Sequence, residues 1–177
     1  MIVKTAPVHR LYTGTTHPGK YIVIATGDAA SVDVARETID GDPGRSLIDS
    51  LFLADVAPVV AAILFGAAAS VPVRGEAIGV VETETIASTI DAADAAVKYA
   101  DVSLASMRLA DGLGGSAYFI IDGAVGEVQA GVEAAIDRTA GLINDSVVIP
   151  QLAAELRADL RAGESLADRL RDANDTR

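Results

Sequence analysis

Residues 76–133 read EAIGVVETETIASTIDAADAAVKYADVSLASMRLADGLGGSAYFIIDGAVGEVQAGVE, and the fold is decided within them. The apolar run at residues 77–81 ends at Glu82 and Thr83, after which Ile86, Ile90, Ala93 and Val97 recur at the spacing of one helical face. Strand therefore gives way to helix. Residues 102–109 form a second strand candidate, Gly112, Gly114 and Gly115 break the pattern, and residues 117–121 supply a third apolar, aromatic run. Two strands joined by a glycine-rich hairpin loop follow from this. Gly123 closes the last strand, and Val128, Val132, Ala135 and Ile136 mark a second apolar helix stripe. The expected order is strand, helix, two strands, helix.

Three motifs in this stretch, Ile78-Gly79-Val80-Val81-Glu82-Thr83, Asp94-Ala95-Ala96-Val97-Lys98-Tyr99-Ala100-Asp101-Val102 and Gly112-Leu113-Gly114-Gly115-Ser116, resemble the bacterial microcompartment shell domain in order and spacing. The resemblance implies a non-catalytic shell tile.

Outward from the core stretch the chain repeats itself. Val3-Lys4-Thr5-Ala6-Pro7-Val8 parallels Val97-Lys98-Tyr99-Ala100-Asp101-Val102, and GKYIVIATG at residues 19–27 parallels GSAYFIIDG at residues 115–123 without a gap. Val32 falls opposite Val128, and residues 47–53 (LIDSLFL) mirror residues 143–149 (INDSVVI). The tandem arrangement resembles the double-domain, trimer-forming class of the shell family, the propanediol-utilisation T-type subunits among them. The fold class expected is α+β, two tandem ferredoxin-like domains: residues 1–74 a first repeat with its linker, 75–150 a second, and 151–177 a helical extension carrying Leu152, Leu156 and Leu160 on one stripe. The first repeat lacks a counterpart of the strand and helix at residues 76–96, which sets the expectation that the natural chain begins upstream of Met1.

Composition bounds the partners. The 177 residues are half hydrophobic but only 4% aromatic, so the core is built from Ala, Val, Ile and Leu. A net charge of -11 with scattered Lys and Arg argues against nucleic acid and anionic membranes. With no cysteine, disulfides, thiolate metal sites and cysteine nucleophiles are excluded. Residues 56–73 hold no charge, but Pro58 and Gly66 interrupt them, and a buried helix leading into a linker near residues 67–74 fits better than a membrane span. The opening MIVKTAPVHR has no long apolar region of a secretory signal, so a cytoplasmic location is expected.

Candidate functional residues follow from the resemblance more than from local chemistry. In the shell family the hairpin loops surround a central pore, which implies pore-lining roles for His17, Pro18 and Gly19 of the first repeat and Gly112, Leu113, Gly114, Gly115 and Ser116 of the second. The glycine loop is not a phosphate cradle, because no Lys-Ser/Thr follows it and it joins two strands instead of opening a helix. Taken alone it is an ordinary hairpin turn. Within one subunit His17 has no metal-site spacing, yet a trimer would bring three copies to the axis, where imidazoles bind a divalent transition metal or stand as solvated rim groups. Tandem relatives with Cys at this place hold an iron–sulfur cluster, whose thiolates are missing here. Lys98, at the end of a helix, complements its dipole. By resemblance, Lys98 and its repeat partner Lys4 are tile-edge contacts, while Asp122 and Thr26 stand where the family often has Arg. The implied assembly is a homotrimeric pseudohexamer that joins other shell proteins around encapsulated enzymes, with no cofactor beyond that metal, and passes metabolites or electrons. The rival reading is a small-ligand-binding or regulatory ferredoxin-like protein.

Overall fold

The computed structural model describes residues 7–17, 19–41, 46–65, 72–109, 113–139 and 141–153. Their architecture is mixed α/β, with a four-stranded antiparallel sheet in the C-terminal half and a two-stranded hairpin in the N-terminal half. Lys4, Pro18, Gly112 and nearly all of the 151–177 extension lie outside the described residues.

The large sheet takes strands β3 (Ala77–Thr83), β4 (Ser103–Leu109), β5 (Ala117–Gly123) and β6 (Ile143–Ile149) in the order β4-β5-β3-β6. β3 is paired along both edges, Val81 lying opposite Phe119 of β5 and Ser146 of β6. Helices α3 (Ile86–Tyr99) and α4 (Val125–Arg138) cover one face. Alternation along β3 sends Ala77 and Val81 into that helix-covered core, together with Phe119, Ile121, Leu104, Ala93, Val128 and Val132. Gly79 shares this face. A Cβ there would stand 2.6 Å from Cγ2 of Val132, so the absent side chain is what lets α4 close on the sheet. On the opposite face Ile78, Ala105 and Ile120 meet Val73 and Leu152.

α3 begins as its sequence requires. Thr85 is the N-cap: the Ser88 N–H donates to its hydroxyl oxygen at 3.0 Å, and the Ser88 hydroxyl accepts from the Thr85 N–H at 3.2 Å. Ile90 and Ala93 of the expected stripe are buried, with Ile86 and Val97 packed against them. On α4, Val128, Val132 and Ala135 are buried but Ile136 is an exposed residue, because the next position round the helix rolls off the sheet. β6 was not expected from the sequence. Asn144 and Asp145 interrupt its apolar alternation, and it becomes a strand by hydrogen bonding to β3.

In the N-terminal half β1 (Arg10–Thr16) pairs antiparallel with β2 (Lys20–Thr26), followed by α1 (Ala29–Asp40). Ala35 is the buried residue of α1, packed with Val8, Val23 and Ile39. Residues 47–53, which mirror β6, carry no strand pairing. The expected buried helix is α2 (Pro58–Leu64), opened by Pro58 in its first turn and inserted through Val60 and Ile63. Tyr12 of β1 stacks on Phe65 with ring centroids 5.3 Å apart, joining the hairpin to the end of α2.

Candidate functional site: a rim formed by two hairpin loops

The β1–β2 and β4–β5 turns are far apart in sequence and close in space. Gly19, Gly114 and Gly115 have φ of 77°, 65° and 95°, a region that L side chains avoid. The Ser116 N–H donates to the Leu113 carbonyl at 3.0 Å, closing the second turn. Lys20, the first residue of β2, lies directly over Gly115: a Cβ at Gly115 would stand 2.6 Å from Cδ of Lys20. A side chain built on Gly19 or Gly114 meets nothing within 4 Å, so the loop tips face open space. His17 is exposed in the first turn.

The sheet extends this rim. The Asn144 side-chain amide of β6 donates to the Ser116 hydroxyl at 3.3 Å and to Oε1 of Glu82 at 3.3 Å, tying the second loop to the ends of β3 and β6. The rim thus combines backbone amides of a glycine loop, one ammonium from Lys20, one carboxylate from Glu82, and the polar side chains of Ser116 and His17. Among the described residues Lys20 makes no ion pair. Of the expected pore residues, Gly19, Leu113, Gly114, Gly115, Ser116 and His17 belong to these two turns. Lys20, Glu82 and Asn144 were not found by sequence reasoning. Lys20 sits at the matched position of Ser116 in the repeat, and that alignment was the available signal.

Lys98 occupies a separate place, at the C-terminal end of α3. Its ammonium pairs with Asp94 at 2.7 Å, one helical turn back, and donates to the Asp55 carbonyl. Asp94 is only 4% exposed, and its other oxygen accepts from the Ala57 N–H at 2.7 Å, just ahead of α2. The Asp-x-x-x-Lys motif therefore fastens α2 to α3 within the chain, with Tyr99 strongly exposed beside it. Asp122, noted for standing where the family has Arg, is buried, and its Oδ2 accepts from the backbone N–H groups of Arg74 at 2.7 Å and Gly75 at 2.6 Å. It anchors the end of the linker to β5.

Among the described residues no group of three His, Cys, Asp or Glu side chains is placed to hold a metal ion. The donor set does not fit an iron–sulfur cluster, since the chain contains no cysteine. Among the described residues no helix is long and apolar enough to cross a membrane.

These features agree with what known proteins show. Residues 77–152 match the BMC domain family. The chain is 36% identical over 152 residues to the bacterial microcompartment shell protein PduT of Citrobacter freundii, covering 85% of this chain and 82% of the relative. It superposes on the crystal structure of a microcompartments protein from Desulfitobacterium hafniense DCB with a TM-score of 0.75 and 33% identity, covering 89% of this chain and 87% of that one. Identity at this level over most of both chains, together with a strand–helix–hairpin–helix core that coincides with the BMC domain, places the protein in the family of bacterial microcompartment shell proteins.

Proposed function

We propose that the chain is a tandem shell subunit, with residues 1–74 and 75–150 as its two repeats, and that three copies close into a pseudohexameric tile around a central pore. The observation that carries this reading is the meeting of the two hairpin loops within one chain, where Lys20 of the first lies over Gly115 of the second. Two loops per chain, side by side, are what a threefold assembly needs to surround an axis with six. The tile joins other shell proteins around encapsulated enzymes in the cytoplasm and has no catalytic role of its own. Its pore passes small polar metabolites along glycine-loop amides and three Lys20 ammonium groups. Lys98, and Lys4 by repeat, stand at the tile edge.

Electron microscopy of the purified protein tests the assembly: flat sheets or tubes support it, whereas dispersed particles that hold a stoichiometric metabolite favour a soluble ligand-binding protein. The three His17 imidazoles would form a transition-metal site on the axis. Titration should show one ion per trimer, lost in His17→Ala; no binding at micromolar metal leaves His17 a solvated rim residue.

A further inference from the structure

A cavity of about 620 Å³ lies between the two halves of the chain, within the size range of sites that hold small organic molecules. β2, α1 and the chain between α1 and α2 wall it from the first half, and the start of α3 walls it from the second through Thr85, Ile86, Ala87 and Ile90. Its interior is apolar, with Val23, Ala35, Ile39 and Leu53 contributed by one half and Ile86 and Ile90 by the other. β2 runs along it, so Lys20, with Thr16 and Gly115, marks one end, and Thr26 and Gly27 mark the other.

Four charged side chains reach this wall, and three of them are answered within the protein. Arg36 pairs with Asp40 at 2.7 Å. Asp49 accepts from the hydroxyl of Thr85, the N-cap of α3, where the helix dipole favours a negative charge. The fourth is Lys20, which makes no ion pair among the described residues, and its aliphatic stem lies along Gly115. The cavity is therefore an apolar chamber with one uncompensated ammonium at its end.

That combination selects its ligand by chemistry. A sugar or a polyanion would press polar groups against Ile39, Ile86 and Ile90, where no partner stands for them. A cationic amphiphile would set like charge against Lys20, and a neutral hydrocarbon would leave the ammonium unused. We infer that the cavity binds an amphipathic monoanion, a small molecule with an apolar body and one carboxylate. The body lies among the side chains of both halves, and the carboxylate accepts a charge-assisted hydrogen bond from Nζ of Lys20. This site rests neither on the trimer nor on the pore.

The test titrates decanoate into the full chain by calorimetry and follows methyl resonances, with the oligomer recorded by native mass spectrometry in the same preparation. Decanoate should saturate at one molecule per chain and shift the methyls of Val23, Ile39, Ile86 and Ile90 together. Lys20→Gln should weaken decanoate about tenfold, the loss of one charge-assisted contact, while Lys20→Arg keeps the affinity. Decanol, with the same body and no charge, should bind more weakly and equally to the unsubstituted chain and to Lys20→Gln. No saturation below millimolar decanoate, equal weakening of decanoate and decanol in Lys20→Gln, or shifts confined to one half would overturn the inference. Shifts at those methyls that grow with protein concentration in the absence of decanoate would put a second copy in the cavity and overturn it as well. A trimer that binds no decanoate would sink the cavity proposal and leave the assembly proposal standing.

Discussion

Helices α1 and α4 each follow an antiparallel hairpin, yet they are held by different means. α4 has no side-chain cap at its N-terminus and is fixed by packing, with Val128, Gly131, Val132 and Ala135 buried against β3 and β5. α1 buries Ala35 alone and carries local devices instead. Asp28 caps it by accepting from the Ser31 N–H at 3.0 Å, and Arg36 bridges Asp33 at 3.0 Å and Asp40 at 2.7 Å along its exposed side. The difference traces to β3 and α3, which supply the C-terminal half with a doubly paired central strand and a second helix. Where tertiary contacts are few, capping and i,i+4 pairing carry more of the helix.

Truncation of the central cores should separate the halves most clearly. Phe119→Ala removes a fully buried ring beneath two helices and should cost about 3–5 kcal/mol in urea denaturation. Val23→Ala, at the matched position in β2, loses about two methylenes' worth of partly buried surface, about 1.5 kcal/mol at most. Equal losses would break the comparison by showing the N-terminal half to be as tightly packed as the other.

The junction between the halves should respond next. Asp94→Ala leaves the Ala57 N–H without its acceptor and deprives Lys98 of its ion pair, at about 1–3 kcal/mol. Asp94→Asn, which keeps an acceptor for Ala57, should recover a large part of that loss; if it recovers nothing, the ion pair rather than the hydrogen bond holds α2. Lys98→Ala should leave the oligomer intact and reduce sheet formation under the electron microscope, whereas loss of the oligomer would refute an edge role.

The smallest effect belongs to the cap. Ser31, through its backbone N–H and its hydroxyl, donates to Asp28 and holds its carboxyl below the ordinary aspartate value. A depressed folded pKa means stability that is present above the unfolded pKa of about 4 and lost as pH falls through the lower folded value. Asp28→Ala should therefore lower the melting temperature slightly at neutral pH and make little difference in strong acid. A deficit that persists unchanged at low pH would mean that the carboxylate cap is not its source.

The elements visible in the sequence were those with uninterrupted periodicity. Ile86, Ile90, Ala93 and Val97 announce α3, and the matched segments GKYIVIATG and GSAYFIIDG announce β2 and β5. β6 was hidden because its strand character comes from β3, some sixty residues earlier, and not from INDSVVI itself. Residues 47–53 make the same point in reverse: a similar segment without that neighbour forms no strand. The glycine loops were legible as turns, but the approach of Lys20 to Gly115 depends on how two hairpins pack, and no local pattern encodes it. The tie from Asp122 to the linker was visible only as a residue out of place.

Native mass spectrometry of the purified chain tests the central claim most directly. A single dominant species at three times the 18.1 kDa chain mass is predicted, retained in Lys98→Ala. A stable monomer or dimer at micromolar concentration would contradict the arrangement of three chains and six hairpin loops around one axis.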